Sequence, residues 1–218
     1  MLKVDKLTVE IEGVRVLREV ALDLGRGRCT VLIGRNGAGK TTTLRAIMGL
    51  IPRLGGTITL DGAQIQDLPS HARAANGIGY APEDRRLIGD FTVEDNILLP
   101  ALALKMPAAQ RRERLEQVYE FLPQLKVMRA RPGGGVSGGQ GKIVALGRAL
   151  MVADKVLFLD EPFQGLAPAL ALEYAQTLRQ LRELRPDLTL FVTESTPKLL
   201  AAIADEELLI ERGEILRS

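Results

Sequence analysis

The sequence predicts an α/β protein organised around a mostly parallel sheet, and three observations support that fold class. Strand-like and helix-like segments alternate after residue 30, as in a doubly wound sheet. Residues 156–159 are apolar throughout, as expected for a parallel strand that is buried on both faces. Residues 34–39 form a glycine-rich loop between an apolar, strand-like run and a helical pattern.

Composition places the chain among ordinary globular proteins. Of its 218 residues, 46% are hydrophobic and 26% are charged, and the net charge of +2 gives no global argument for nucleic-acid binding. The single Cys29 cannot form an internal disulfide, and the lone His71 gives no support to a zinc site. No signal peptide opens the chain, and its longest apolar-looking run, residues 97–104, is interrupted by Pro100. We expect a cytosolic protein, or one docked on something at the cytosolic face.

The first part of the chain has the alternating pattern of an antiparallel sheet with one solvated face. Residues 7–11, 14–16 and 20–24 alternate between apolar and polar side chains, and a turn follows at residues 25–27. A further strand is predicted at residues 57–60, where the pair Asp61-Gly62 marks a turn.

The middle of the chain, from residue 91 to about residue 125, has a helical pattern. Thr92 and Asp95 have the spacing of a capping box, with Asp in place of the usual Glu. A basic face formed by Arg111, Arg112 and Arg114 could contact nucleic acid or lipid headgroups. Interspersed glutamates favour a merely solvated face, so we expect no nucleic-acid partner.

The last part of the chain alternates again. The pattern predicts a helix at residues 169–185, a strand at residues 188–193, a helix at residues 197–204 and a final hairpin around Gly213. These segments complete the predicted parallel sheet.

The glycine-rich loop fits the pattern G-x-x-x-x-G-K-[ST], which binds phosphate groups. The residues of the loop are Gly34, Arg35, Asn36, Gly37, Ala38, Gly39, Lys40, Thr41 and Thr42. Its glycines let successive N–H groups converge at a helix N-terminus, where the helix dipole attracts an anion. In this pattern Lys40 reaches the β- and γ-phosphates, and the Thr41 hydroxyl binds Mg²⁺. The loop therefore predicts a nucleotide-binding site.

Two further segments carry chemistry that suits a nucleoside triphosphatase. The segment Ser137, Gly138, Gly139 and Gln140 starts a helical pattern with a good N-cap residue and two exposed glycine N–H groups, and it predicts a second anion site. Asp160 and Glu161 end the apolar strand on the side where ligands bind in open α/β sheets. Asp160 would hold Mg²⁺ through water, and Glu161 would orient or deprotonate the attacking water.

Together these motifs resemble those of ATP-binding-cassette (ABC) ATPases. Residues 137–140 match the family signature L-S-G-G-Q except that Val136 replaces its leading leucine, and residues 156–162 resemble the Walker B strand with its catalytic glutamate. The resemblance implies one ABC ATP-binding domain at residues 1–218, in which a P-loop NTPase core carries a small antiparallel β subdomain and an inserted helical subdomain at about residues 88–152. It also implies a head-to-tail dimer, in which residues 137–140 cover the γ-phosphate held by the partner's phosphate loop.

Within this family the chain resembles the ATPase subunits of branched-chain amino-acid importers. The resemblance is carried by the Gly-Leu-Ala-Pro run at residues 165–168, by Pro82-Glu83 at the Q-loop position and by Glu194-Ser195. It implies that Glu83 contributes to the Mg²⁺ site, and that the chain works at the cytoplasmic face of the membrane. The implied partners are transmembrane permease subunits, a second ATP-binding subunit and, indirectly, a periplasmic solute-binding protein. Importers of urea and short amides share much of this pattern.

Three departures from the family pattern predict weak activity. No aromatic residue precedes Tyr80, so adenine would lose a stacking partner worth roughly 1–3 kcal/mol and ATP would be poorly distinguished from GTP. Ser195 occupies the switch position where most members have a histidine, and it can hydrogen-bond a phosphate but brings no positive charge. Ala167 occupies the usual position of the D-loop aspartate. Because Glu161 is intact, we predict slow rather than absent hydrolysis.

Two alternative functions stay open, and these departures motivate the first. One is a catalytically weak binding subunit that is paired with a more active homologous ATPase. The other is a soluble ABC ATPase that acts on DNA or ribosomes. Such proteins usually carry long coiled-coil insertions or tandem cassettes, and this chain has neither.

Overall fold

The computed structural model describes residues 1–216, which form two sheets and a set of helices packed on and between them. The strands are β1 (Leu2–Ile11), β2 (Val14–Leu24), β3 (Cys29–Ile33), β4 (Gly55–Leu60), β5 (Ala63–Gln64), β6 (Ile78–Ala81), β7 (Val156–Asp160), β8 (Thr189–Glu194), β9 (Glu206–Glu211) and β10 (Glu214–Leu216). The α-helices are α1 (Lys40–Ile47), α2 (Ser70–Ala75), α3 (Val93–Ala103), α4 (Ala108–Phe121), α5 (Pro123–Met128), α6 (Gly138–Leu150) and α7 (Pro168–Leu184). Short 3-10 helices lie at Gly133–Gly135 and Pro197–Leu199.

The larger sheet has the strand order β10-β9-β3-β8-β7-β6, and only β10 runs antiparallel to its neighbour. The carboxyl ends of β3, β8, β7 and β6 therefore meet along one edge. The loops that follow these strands carry the phosphate loop, Ser195, Asp160 with Glu161, and Glu83. This topology brings together residues that are far apart in the sequence, and it confirms the predicted mostly parallel sheet.

The smaller sheet is antiparallel, with the order β2-β1-β4-β5. Its first strand begins at Leu2, earlier than predicted, because Leu2 and Val4 are buried in the core on alternating positions. The two strands expected at residues 14–16 and 20–24 are one continuous strand, β2. Glu19 interrupts its alternation with a φ of 48°, and irregular pairing at this point lets both halves keep their apolar side chains on one face.

Two apolar clusters hold these layers together. One lies between the larger sheet and helices α3–α7, and the other lies between the two sheets and α1. Phe158 on β7 and Phe191 on β8 pack edge to face, with ring centroids 5.8 Å apart. The strand β7 is buried along its whole length, as its apolar sequence predicts.

The helical region matches its prediction in some parts and differs in others. Thr92 and Asp95 form the predicted capping box at the start of α3. The helix expected at residues 197–204 is wrong: only Pro197–Leu199 is helical, as a 3-10 turn. Leu200 and Ile203 donate to carbonyls three residues back, because this short connection must cross β3 between the end of β8 and the start of β9. Helix α2 and strand β5 had no predicted counterpart.

The expected division into one domain with a helical subdomain at about residues 88–152 stays a prediction. Helices α3–α6 fall within that range. The expected boundary at residue 218 lies outside the described residues.

Candidate nucleotide-binding site

The phosphate loop joins β3 to α1 and lies against β2 and the β9–β10 hairpin. Gly37 and Gly39 have φ values of 81° and 113°, a region that residues with a Cβ rarely adopt. A Cβ at Gly39 would also lie 2.8 Å from the Leu17 side chain. The glycines therefore permit both the turn and its close packing, and they leave the first N–H groups of α1 facing outward, as helix starts do.

Lys40 is the best-connected residue of the loop and is only 3% exposed. Its Nζ donates to the carbonyls of Gly34 at 2.7 Å and Arg35 at 3.2 Å. The same Nζ lies 3.0 Å from the Glu161 carboxylate. The ammonium thus lies within the concavity of the loop, where charge-assisted hydrogen bonds hold it at the N-terminus of α1.

Thr41 and Asp160 form a second contact between the loop and the sheet edge. The Thr41 hydroxyl donates to Asp160 Oδ1 at 2.9 Å, and the Thr193 hydroxyl donates to the same oxygen at 2.8 Å. The Tyr80 hydroxyl donates to Asp160 Oδ2 at 3.0 Å. Burial raises the pKa of Asp160, and these three hydrogen bonds oppose that rise. The carboxylate is therefore held firmly, with Thr41 Oγ1 beside it.

Glu161 follows Asp160 and turns back towards Lys40. It is buried, and its φ of 43° lies in the left-handed region although it is not a glycine. Its N–H donates to both the carbonyl and the hydroxyl of Thr193, each at 3.1 Å. This unusual backbone conformation directs the carboxylate to the phosphate loop.

Ser195 follows β8 and Glu83 follows β6, the two strands on either side of β7. Ser195 Oγ accepts a hydrogen bond from Lys40 at 3.1 Å and donates one to Asn36 Oδ1 at 3.1 Å. Desolvation of the Glu83 carboxyl, and then the negative charges of Glu161 and Asp160, raise its pKa. Both residues therefore belong to the same edge. Within the phosphate loop, Arg35, Asn36 and Gly37 are exposed, Gly34 and Ala38 are buried, and Thr42 is half-buried on the first turn of α1.

The segment Ser137–Gln140 lies apart from this group. Ser137 Oγ accepts from the Gln140 N–H at 3.2 Å, and Gln140 Oε1 accepts from the Ser137 N–H at 3.0 Å, so a capping box opens α6. Among residues 1–216, no hydrogen bond or ion pair joins these four residues to the phosphate loop. The structure therefore brings Lys40, Thr41, Asp160, Glu161, Ser195 and Glu83 to one edge and leaves this segment open to another molecule.

Comparisons with known proteins show the family to which the chain belongs. A model of the ABC transporter family matches residues 17–164. The chain belongs to the ABC transporter family. As one of its ATP-binding domains, it is a member of a family of ATPases that usually dimerise and work with transmembrane permease components.

Several curated ABC proteins are similar to the chain over nearly its whole length. The branched-chain amino acid transport ATP-binding protein BraG of Pseudomonas aeruginosa is 33% identical, over 99% of this chain and 91% of its own. The lipopolysaccharide export ATP-binding protein LptB of Escherichia coli is 32% identical, over 94% of this chain and 84% of its own. The crystal structure of the ADP conformation of an ATP-binding cassette superposes with a TM-score of 0.85 at 25% identity, covering 99% of this chain and 89% of that one.

Because no Phe, Tyr or Trp precedes Tyr80, the β1–β2 turn beside this ABC site has only aliphatic side chains as its apolar residues. Ile11 and Val14 pair across the β1–β2 turn and are 44% and 64% exposed. The same hairpin reaches the phosphate loop, because the Gly39 backbone packs against Val16 and Leu17 of β2. Of the side chains offered by this turn, Ile11 and Val14 present the apolar surface.

Several residues of the ABC site had no signal in the sequence. Tyr80 and Thr193 donate to Asp160, and Lys142 donates to the carbonyl of Glu161. Glu194 Oε1 accepts from the Phe163 N–H at 3.0 Å. The apolar patterns in the sequence predicted only where each strand ends. A tyrosine or threonine inside a strand pattern gives no indication that its hydroxyl points to a carboxylate on the next strand.

None of the helices in residues 1–216 combines the length and the hydropathy that a membrane crossing requires. In the same residues, no cluster of three or more His, Cys, Asp or Glu side chains is arranged to hold a metal ion.

Proposed function

We propose that this ABC domain binds and hydrolyses ATP with Mg²⁺ and drives solute import through permease subunits at the cytoplasmic face of a membrane, with branched-chain amino acids as the solute class. The observation that carries the proposal is the edge where Lys40 meets Glu161 at 3.0 Å and Thr41 meets Asp160 at 2.9 Å. A cation, a hydroxyl and two carboxylates at a helix N-terminus are the groups that phosphoryl transfer needs.

The residues at this edge suit a magnesium nucleotide. Thr41 Oγ1 and Asp160 Oδ1 are neighbouring oxygen atoms, and Mg²⁺ prefers one or two such protein ligands together with waters and phosphates. Mg²⁺ supplies charge neutralisation between the phosphates when it is bound. The loop N–H groups and Lys40 would hold the β- and γ-phosphates. Glu83 follows β6 at the same edge, where the charge of Asp160 helps to raise its pKa, and it would serve the same site.

Glu161 has the position of a general base. Its carboxylate is buried beside Lys40, so an incoming phosphate would compete for the ammonium and free the carboxylate for a water molecule. Ser195 hydrogen-bonds Lys40 and would contact the terminal phosphate without adding charge. This residue set supports hydrolysis, and the missing positive charge supports a slow rate.

Dimerisation follows from the open signature segment. Ser137–Gln140 is a capped helix start with exposed residues, and the phosphate loop of its own chain does not use it. Its N–H groups would complete the site of a second ATP-binding subunit, which is the arrangement that the family resemblance implies. The structure describes a single chain, so homodimer and heterodimer are both outcomes for the test.

A shallow apolar groove supports docking of a permease. Its volume is about 290 Å³, and it lies between the end of α1, α2, the end of α3 and α6. Its apolar lining includes Leu50, Ile78, Ala103, Leu104 and Val152. The resemblance to ABC ATPases implies a permease surface at residues 85–91 and the helices that follow them. Of these segments, α3 and α6 line this groove and residues 85–91 do not, while α1 and α2 form its other wall.

The solute class rests on similarity alone. BraG and the LivF protein of Archaeoglobus fulgidus, which is 30% identical over 99% of this chain, are described as branched-chain amino acid transport proteins. The similarity to LptB favours a second candidate function, in which the same motor drives export of a lipid-linked substrate.

Reconstitution of the chain with its permease subunits, which are to be sought among the products of neighbouring genes, tests the proposal. We expect leucine, isoleucine or valine to enter the vesicles only with ATP, and Glu161→Gln to lower turnover by about 10²-fold or more while ATP still binds. The control Glu173→Gln changes an exposed carboxyl on α7 and should leave turnover unchanged. Unchanged turnover in Glu161→Gln would remove the assigned base. ATP-dependent movement of a lipid instead would establish the export function.

A further inference from the structure

Lys142 is a buried lysine that none of the motifs assigns. It lies on α6, four residues after Gly138, and is only 9% exposed. Its Nζ donates a hydrogen bond to the main-chain carbonyl of Glu161. Among residues 1–216, no ion pair within 4.0 Å includes Lys142. The ammonium therefore directs its contact to a backbone atom beside the phosphate site.

An ammonium in this position is costly, because burial disfavours its charge. Desolvation lowers the pKa of Lys142, while the charges of Glu194, Glu83 and Glu161 oppose that change and Arg85 adds to it. The charges of three carboxylates thus favour the ammonium form of this buried group. A methionine or leucine would fill the same space without this penalty, so packing alone gives no reason for a lysine here.

The bond from Lys142 acts on the residue with the least ordinary backbone in the site. Glu161 has a φ of 43°, and its N–H is held by Thr193 on β8. Lys142 holds the carbonyl of the same residue from α6. Left-handed backbone in a non-glycine residue persists only where its surroundings determine it. The two bonds fix both peptide groups of Glu161 and so fix the direction of its carboxylate.

The neighbouring segment is held in a similar way. Glu194, whose negative charge favours the ammonium form of Lys142, accepts a hydrogen bond from the Phe163 N–H at 3.0 Å. The chain from Glu161 to Phe163 is therefore fastened between α6 on one side and the end of β8 on the other. Only one of these fasteners, Lys142, belongs to the helix that begins with the signature segment.

We propose that Lys142 is a positioning residue, which ties the signature helix to Glu161 so that the position of α6 sets the direction of the general base. The proposal rests on the hydrolytic function proposed above. Ser137 caps α6, and Gly138–Gln140 and Lys142 lie on its first two turns, so the hydrogen bonds of one helix connect them. When the signature segment engages a nucleotide held by a second subunit, the same helix then constrains Glu161 of its own chain.

Two substitutions separate this role from simple packing. Lys142→Met keeps an apolar stem that is one atom shorter and removes the donor, whereas Lys142→Gln keeps a neutral N–H donor that is one atom closer to the backbone. In steady-state ATP hydrolysis by the dimeric full-length protein, we expect Lys142→Met to lower kcat about 10- to 100-fold while KM changes by less than about twofold. Lys142→Gln should recover kcat to within about threefold of the unchanged protein. The control Lys155→Met, at the other end of β7, should leave both constants unchanged.

A crystal structure of Lys142→Met without nucleotide gives a readout that needs no activity. We expect Glu161 to leave the left-handed region and its carboxylate to move beyond 4 Å from Lys40 Nζ. If Glu161 keeps its conformation and kcat is unchanged, or if only KM rises, the positioning role is wrong. If Lys142→Met does not fold, a loss of kcat of about 10- to 100-fold in Lys142→Gln contradicts the role equally. If the unchanged protein hydrolyses no ATP while Glu161 moves in the variant, the proposed function fails and the tie between α6 and Glu161 stands.

Discussion

The phosphate loop and the signature segment are both glycine-rich stretches that open a helix, yet their bonding is opposite. Lys40 and Thr41 are tied to Glu161, Asp160 and the loop carbonyls by bonds of 2.7–3.2 Å. Ser137–Gln140 bonds only to itself in its capping box and is largely exposed. One helix start is therefore complete within its own chain, and the other presents free N–H groups to the outside. The same local chemistry can build a finished site or half of a shared one, depending on what the sheet places opposite it.

The first way to break this comparison is to remove the cation of the finished site. Lys40→Met should weaken binding of Mg-ATP about 100-fold, because a charge-assisted contact to the phosphates is lost and Glu161 keeps its charge beside them. Titration with a fluorescent ATP analogue measures the change. Lys155→Met is the matched control, since its ammonium pairs with Asp61 at 2.7 Å on the far side of the sheet. Equal affinity in Lys40→Met would show that the loop does not hold the phosphates.

The second way is to obstruct the open site without disturbing the fold. Gly138 has no left-handed φ, and a Cβ there would meet only the flexible end of Arg85, at 3.3 Å. Gly138→Val should therefore fold normally and place a branched side chain on the exposed surface. We expect turnover of the dimer to fall about tenfold or more while each chain binds ATP as before, because the obstruction acts on the partner's phosphate.

Gly135→Val serves as the control for that substitution. Gly135 is exposed, and an added Cβ meets no atom within 4 Å. Its variant should keep full turnover. If Gly138→Val also keeps full turnover, the signature segment is not part of a shared site, and the two helix starts differ only in exposure.

The sequence predicted well which residues follow each strand, but it predicted poorly which side chains contact one another there. Apolar runs and turn residues predicted β3, β7 and β8, and the rule for parallel sheets then placed Lys40 and Asp160 at one edge, whereas Ser195 was assigned by the family resemblance alone. The Tyr80–Asp160 and Lys142–Glu161 contacts join residues 80 and 19 positions apart, and they depend on how helix α6 and strand β6 pack on β7. The wrong helix at residues 197–204 has a related cause, since the short connection from β8 to β9 has to cross β3 in the sheet, and this overrides a local helical pattern.

A third prediction sharpens the comparison by adding what the finished site lacks. The site holds phosphates but offers only Ile11 and Val14 on the nearby β1–β2 turn. Ile11→Tyr should tighten ATP binding about tenfold, because base–aromatic stacking is worth roughly 1–3 kcal/mol. The same substitution should raise the preference for ATP over GTP. Competition titrations with both nucleotides measure this preference. Val127→Tyr, at an 85% exposed position on α5, controls for a general gain in surface aromatic character, and an equal gain in both variants would contradict stacking at residue 11.

The smallest expected effect compares the two capping boxes of the chain. Thr92 caps α3 and Ser137 caps α6 through the same reciprocal bonds. Replacing either residue with alanine removes one N-cap bond, so each variant should lose about 1 kcal/mol of unfolding free energy in urea titrations. Their effects on ATP turnover should differ. Ser137→Ala also removes a hydroxyl from the surface proposed to cover the partner's phosphate, and turnover should fall severalfold, whereas Thr92→Ala should leave turnover unchanged once its stability is accounted for.

If the two variants lose the same stability and the same turnover, Ser137 only starts a helix and the open site has no ligand. If Ser137→Ala alone loses turnover, the two helix starts of this chain differ in function as they do in bonding, and the deciding feature is the free surface in front of α6.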